Sequence, residues 1–398
     1  MSDVKIFADA VDERALGQIR LLASQSAFAD CKIRIMPDVH AGAGCVIGFT
    51  ADLGDKVIPN VVGVDIGCGM LTVELGRREV DCDRLDRVIR ERIPSGMTVR
   101  AKAVPDVPEL TTLHCYDRLK ERSWLVRSVG TLGGGNHFIE VDRDDEDNLY
   151  LVIHTGSRNL GKQVADIYQR MAIELLRGRD EYLAECERVK REYKMNGRQR
   201  EIQPTLERLK KAYQRSSTAV PEALCYLTGE YRAQYLHDMG FCQEFAVLNR
   251  RWIAKLICEG MGWTDERQFT TIHNYIDHET NIVRKGAVSA RKGERLLIPM
   301  NMRDGSLICI GKGNDDWNQS APHGAGRLMS RMQAKRTLTM EDFERSMDGI
   351  FTTSVSRETL DEAPMAYKPM EQIVSRIGET AQIERIIRPI YNFKAGED

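Results

Sequence analysis

The chain has 398 residues, 42% of them hydrophobic and 29% charged, with a formal net charge of −2 at pH 7. Such a composition is globular, with ample length for a large core, and its near-neutral balance excludes a whole-protein field for nucleic acid, so any such contact must come from a local basic patch. No apolar run approaches the roughly 18–20 residues that cross a bilayer, the opening residues are too charged for a secretory leader, and ten irregularly spaced cysteines without a CxxC pair read as reduced thiols of a cytoplasmic protein.

Apolar spacing at Ala15, Leu16, Ile19, Leu22 and Ala23 predicts a helix over 12–29, followed by a short strand at 31–36. Residues 36–75, MPDVHAGAGCVIGFTADLGDKVIPNVVGVDIGCGMLTVEL, have strand–loop–strand texture, with glycine loops tight enough to bring backbone close to a ligand. A helix follows at 83–93. SVGTLGGGNHFIEV (128–141) reads as a glycine loop entering a strand, and LYLVIHT (149–155) as a strand that GSRNLGK joins to a helix at 163–176. Residues 178–217 are dense in Lys, Arg and Glu, which predicts a solvated helical insertion broken near Asn196-Gly197 and at Pro204. A long helix at 229–259, short strands at 296–299 and 306–310, and helices near 339–347 and 370–377 complete the chain. With no linker tract, the expectation is one large α/β domain, 1–398, carrying the 178–217 insertion.

In GVDIGCGM (63–70) a carboxylate, Asp65, and a thiol, Cys68, stand three residues apart among glycines. The chain has only eight histidines, and four occupy strand ends or glycine turns: His137 after GGGN, His154 closing LYLVIHT, His273 in TTIHNYI and His323 in SAPHGAGR. Strand termini are where α/β folds place chemistry. A thiolate, imidazoles and a carboxylate together exclude a Ca²⁺ cage and suit Zn²⁺, Mn²⁺, Fe²⁺ or Co²⁺. A thiolate bridging two such ions, roughly 3.5–4 Å apart, would suit phosphoryl chemistry. His40 is expected near the same centre, His278 on a helix face. GSRNLGKQ (156–163) nearly matches a phosphate loop, but Gln163 stands where Ser or Thr would hold Mg²⁺. That leaves a helix N-terminus with Arg158 and Lys162 able to receive an anion, or a plain strand–helix turn.

Taken in order, MPDVHAGAG, VGVDIGCGM, GTLGGGNHFIEV, IHTGSRNLG, IHNYI, HGAGR and DEAPMAYK resemble the RtcB family of RNA ligases, from Met36 to Lys394. The resemblance implies a single large domain of mixed sheets around a central metal cleft. It implies a ligase that joins RNA 2′,3′-cyclic phosphate or 3′-phosphate ends to 5′-hydroxyl ends, using two Mn²⁺ and GTP as substrate, through a guanylyl-histidine and a GMP-activated RNA 3′-end. By that resemblance Asp65, Cys68, His137, His154 and His273 hold the metals, with Cys68 bridging, and His323 is the nucleophile. Asn136, His137, Phe138, Ile139, Glu140, His273, Asn274, Pro299, Met300, Asn301, Met302, Ser306, His323, Gly324, Ala325, Gly326, Tyr367 and Lys394 correspond to the nucleotide pocket. The partners implied are RNA with broken ends (tRNA, rRNA or mRNA fragments), GTP and a helper protein, the enzyme itself being monomeric. AGAGCVIGFTA after His40 and PMNM at 299–302 depart from the usual WGYGFPIGG and PGSM, marking a divergent branch. The competing reading is a metal-dependent RNA cyclic-phosphate phosphoesterase or nuclease without a covalent nucleotide, and the third is an RNA-binding protein with an idle site.

Overall fold

Three strands buried along nearly their whole length, Gly69–Gly76, Phe138–Arg143 and Leu149–Thr155, pair antiparallel at the centre of the molecule. The computed structural model describes residues 2–264 and 267–396. The main sheet runs in the order Arg295–Asn301, Gly305–Gly311, Ala381–Lys394, Phe138–Arg143, Leu149–Thr155, Gly69–Gly76 and Gln268–Ile272, with the short Phe351–Thr352 attached to Ala381–Lys394. Its two ends come back together where the Leu297 N–H donates to Thr271 Oγ1 at 2.9 Å. The sheet is therefore curled almost into a barrel. Alternation then sorts the side chains. Leu71, Val73, Ile139, Val141, Leu151 and Ile153 face out into a core with Leu85, Ile89, Ile253 and Ile257 from two helices. Met70, Phe138, Tyr150 and Val152 face the other way, onto Leu297, Ile308 and Ile387.

A second sheet runs Asp3–Ile6, Lys32–His40, Ile47–Asp52, Ile282–Lys285, Tyr275–Ile276, parallel at its first pair and antiparallel thereafter. The strand expected to stop at residue 36 continues through Pro37 to His40, because the ladder to Ile47–Asp52 shifts register between Ile35 and His40, where a missing amide is tolerated. A two-stranded ribbon, Ala287–Ser289 with Ser320–Pro322, delivers the chain to His323.

The helix Gly229–Met261 binds these parts together. Buried Asn249 accepts from the Gly130 and Thr131 amides at 2.8 and 3.1 Å and donates to the Thr131 and Gly156 carbonyls, each at 3.1 Å. Its neighbour Arg250, also buried, donates from one nitrogen to Gly67 O and Thr155 O at 2.9 and 2.7 Å. One helical turn thus fixes three loops that carry candidate site residues.

The 178–217 segment forms two helices, Arg179–Met195 and Gln199–Arg215, joined at Asn196-Gly197 as expected. Pro204 does not break the second helix. It lies soon after the helix start, where its missing amide removes a single intrahelical bond, and stacking of Tyr213 on Tyr182 at 4.7 Å holds the pair. His278 sits exposed in the turn after Tyr275–Ile276, not on a helix, because Asp277 caps that turn by accepting from the Glu279 and Thr280 amides. All ten cysteines are unbridged. Among the described residues no helix is long and apolar enough to cross a membrane.

Replacing Asn249 by Ala strands four buried backbone groups. The expected cost is about 3 kcal/mol, read as a lower urea midpoint with an unchanged denaturant slope.

Candidate active site

Asp65 and Cys68 lie on the loop between the short helix Pro59–Val62 and the strand Gly69–Gly76. The loop packs tightly: a Cβ on Gly156 would sit 2.2 Å from Asp65 Oδ1, so only glycine lets the His154 strand pass the carboxylate. The register pairs His154 with Phe138 on one side and Met70 on the other, which brings three ligand-bearing loops to one sheet end. His273 follows Gln268–Ile272, and its N–H donates to Cys68 O at 2.8 Å.

The side chains converge. Cys68 Sγ lies 3.3 Å from His154 Nε2 and 3.6 Å from His137 Nε2, and His137 Nε2 lies 3.1 Å from Asp65 Oδ2. Two groups of donors result, Cys68–His154–His273 and Asp65–Cys68–His137, each with its ligand atoms within 4.8 Å of one another, and Cys68 belongs to both. Nδ1 of His137 faces Leu132 O at 3.0 Å and Nδ1 of His154 faces Asn136 O at 3.1 Å. Donation to those carbonyls puts the proton on Nδ1 and leaves the Nε2 lone pairs pointing inward, as ligation requires.

The electrostatics favour cation binding. Burial and the neighbouring His323 and His137 rings hold His273 and His154 well below the ordinary imidazole range, so both are neutral donors. Burial, with Asp65 beside it, pushes the Cys68 thiol well above its usual value, against the pull of Arg250. Burial alone would raise Asp65 too, but His137, Cys68 and Arg158 hold it below the ordinary carboxylate value. Asp65 Oδ1 and His273 Nδ1 are buried without a hydrogen-bond partner. Unpaired buried donors beside a thiol that needs a cation to ionise are the chemistry of a divalent transition-metal site, and these residues fit one.

His323 stands over this set, its ring centre 4.9 Å from that of His273. Its Nδ1 bonds Asp38 Oδ2 at 2.6 Å, and its backbone N–H donates to the same oxygen at 3.1 Å. Asp38 is fully buried. It is gripped from both sides, since Lys368 donates to Pro37 O and Val39 O at 3.0 and 2.9 Å. Gly326, at φ +75°, lets the chain after His323 pass so close that a Cβ would lie 2.2 Å from Asp38 O. With Nδ1 committed, Nε2 is the nitrogen left for the cleft that His323 lines.

That cleft has a volume of about 320 Å³. Behind its lining residues buried Glu362 accepts from Lys394 at 2.7 Å and from the Tyr367 hydroxyl at 2.5 Å, and pairs with Arg327 at 3.2 Å. Burial works against the charge of Glu362, yet Lys394, Arg331 and Arg327 hold its carboxyl down to about 2. Glu140 goes the other way: burial lifts it to about 7, against Lys394 and a 2.5 Å hydrogen bond from Asn392.

Of the residues expected around a nucleotide, all line this cleft except His137, Ile139 and Ser306. His137 lies behind it with the candidate metal ligands Asp65 and Cys68. Ile139 does not reach it, because strand alternation turns its side chain into the outer core, opposite Phe138 and Glu140. Ser306 is fully buried with its Oγ unpartnered. His40 lines the cleft, its Nδ1 facing Asp38 O at 3.1 Å. The GSRNLGKQ turn does open the helix Arg158–Leu176, but Lys162 pairs with Asp166 and Arg158 is spent on Thr131 Oγ1 and Gly96 O. Asp38, Lys368, Glu362, Asn249 and Arg250 were not singled out from sequence. Asp38 lies within the MPDVHAGAG block and Glu362 and Lys368 within DEAPMAYK, so membership of those blocks was the available signal.

Fold and site together define an α/β protein with a candidate metal-ligand cluster and an aspartate-backed histidine held over it. Comparison with known proteins sharpens this. A family model described as tRNA-splicing ligase RtcB matches residues 18–118 and 113–395, so the chain belongs to the RtcB family. It is 29% identical to the RNA-splicing ligase RtcB of Escherichia coli K12, across 97% of this chain and 96% of that protein. It is also 29% identical to the tRNA-splicing ligase RtcB of Aeropyrum pernix, across 89% and 86%. A second E. coli relative, RNA-splicing ligase RtcB2, is 25% identical across 90% and 86%.

The depressed carboxyl of Glu362 has a consequence for acid stability. Its favourable contribution is complete above the ordinary value of 4.5 and is lost as pH falls toward about 2. Urea midpoints measured across that window are expected to fall for the native chain. Glu362→Gln should start lower at neutral pH and fall less steeply.

Proposed function

We propose that this chain is a GTP- and Mn²⁺-dependent RNA ligase that joins RNA 2′,3′-cyclic phosphate or 3′-phosphate ends to 5′-hydroxyl ends. The observation that carries the reading is His323, backed by buried Asp38 and standing 4.9 Å ring to ring from a ligand histidine, in a chain of the RtcB family. A plain hydrolase at the same centre has no need of a buried carboxylate that orients this imidazole.

In this reading Asp65, Cys68, His137, His154 and His273 hold two divalent ions, which supply charge neutralisation on phosphate oxygens. Asp38 keeps the His323 proton on Nδ1, so the Nε2 lone pair attacks the α-phosphorus of GTP. The N–P bond forms as the bond to pyrophosphate breaks, and Asp38 stabilises the cationic ring. The RNA 3′-phosphate, produced by opening of the cyclic ester with water, then attacks the same phosphorus and releases the imidazole. Finally the 5′-hydroxyl attacks the RNA phosphorus, loses its proton, and expels GMP. Asn136, Phe138, Glu140, Asn274, the Pro299–Met302 turn, Gly324–Gly326, Tyr367 and Lys394 form the guanylate pocket, and Glu362 positions Tyr367 and Lys394 there. We place the whole of 1–398 in one catalytic unit that acts as a cytoplasmic monomer on broken tRNA, rRNA or mRNA, with a helper protein as a candidate partner.

Incubation with Mn²⁺ and α-labelled GTP is expected to leave acid-labile label on the protein. His323→Ala should abolish it, and Asp38→Asn should slow it about 100-fold or more, since the amide favours the wrong tautomer. Failure to label with any divalent ion would defeat the proposal, and cyclic-phosphate hydrolysis that survives His323→Ala would favour the phosphoesterase. Elemental analysis of Mn²⁺-loaded protein is expected to give two ions per chain, reduced to one or none by Cys68→Ala but unchanged by His323→Ala.

A further inference from the structure

The helical hairpin is charged differently from the rest of the molecule. Residues 178–217 contain eleven Lys and Arg against seven Asp and Glu, in a chain whose net charge is −2. The two helices spend that charge differently. On Arg179–Met195, Arg188 pairs with Glu185 and Glu192 and Lys190 pairs with Glu187, all at 2.6 Å. On Gln199–Arg215 the cations are more open: among the described residues Arg200, Lys210, Lys211 and Arg215 make no ion pair, and Arg208 donates to Thr205 Oγ1 at 3.1 Å and acts on Glu201 only through space. All five are exposed.

Helical geometry makes a ridge of them. At 3.6 residues per turn Arg200, Arg208, Lys211 and Arg215 fall within about 80° of one another, opposite Ile202, Leu206, Leu209 and Tyr213, and span about 22 Å of axis. The aromatic rings of the hairpin are already occupied: Tyr213 stacks on Tyr182, and Tyr193 lies under Arg198 at 4.3 Å. The ridge therefore offers cations without a stacking platform, which suits phosphates rather than bases.

Its attachment gives it a place relative to the chemistry. The hairpin packs back on the helix Arg158–Leu176. That helix begins beside the metal-ligand loop, where Ser157 Oγ donates to Ile66 O at 2.6 Å, and its 19 residues end about 28 Å away. We infer that the outer face of Gln199–Arg215 grips the phosphodiester backbone of the RNA substrate at a distance from the ends being joined, without reading its sequence. The inference rests on the RNA-ligase reading above.

The test uses the full chain with Arg200, Arg208, Lys211 and Arg215 all changed to Gln, and a control with Arg188→Gln and Lys190→Gln on the other helix. Circular dichroism checks that both fold. Binding is measured for RNA with 3′-phosphate and 5′-hydroxyl ends on a long stem, and for the same ends on a stem too short to reach the hairpin. The ridge variant is expected to bind the long stem at least tenfold more weakly, with the slope of log K against log salt reduced by about 3. It should bind the short stem like the native chain. The control should match the native chain on both, and GTP self-labelling should be unchanged throughout. Equal loss on both stems, or no change in affinity and slope, overturns the inference. So does unchanged RNA binding accompanied by loss of binding to an acidic protein or to anionic vesicles. Absence of self-labelling in the native chain would instead defeat the ligase reading, and the stem comparison would still decide the ridge.

Discussion

Everything at the candidate site depends on Cys68 being shared. Its sulfur lies 3.3 and 3.6 Å from two imidazole nitrogens and belongs to both donor groups. A buried thiol in such a place is costly to ionise unless a cation is present. The surrounding fold is arranged to bring cations: neutral histidines with lone pairs inward, a carboxylate with one oxygen unpaired, and the Arg250 guanidinium behind. Unpaired buried groups cost stability unless a cation pairs them, so a metal held here would also stabilise the fold.

The second constraint is rigidity. Ligands on four separate loops keep angstrom-scale geometry only if the loops cannot drift. Here three of those loops are tied through backbone carbonyls and amides to one turn of a buried helix by Asn249 and Arg250, and the fourth is tied to the first by the His273 N–H bonded to Cys68 O. Asp38 is held likewise, with Lys368 bonded to the carbonyls on either side of it. The site is thus preorganised by hydrogen bonds to backbone rather than by packing alone.

Much of this was legible in the primary structure. The strand LYLVIHT follows from an apolar run, and the long helix after 229 from apolar residues on one helical face. The candidate donors stand out because a thiol and four of the eight histidines fall at strand ends and glycine turns. Misreadings came where a local rule met a longer-range pairing. The strand given an end at 36 runs on through Pro37 across a register shift, and Pro204, read as a break, is absorbed near the helix start. Ile139 was taken with its neighbours in NHFIE, although strict alternation already turned it away from Phe138 and Glu140.

What composition and local pattern settle here is the kind of donor, the strands and helices that carry it, and the charge of the hairpin, because those depend on residue type and near neighbours. Which donors meet is another matter. Asp38 and His323 are 285 positions apart, and Glu362 meets Lys394 only when the last strand lies beside Phe138–Arg143. Such pairings are decided by sheet closure and loop anchoring, which sum contacts over the whole chain and leave no trace in any short stretch of it.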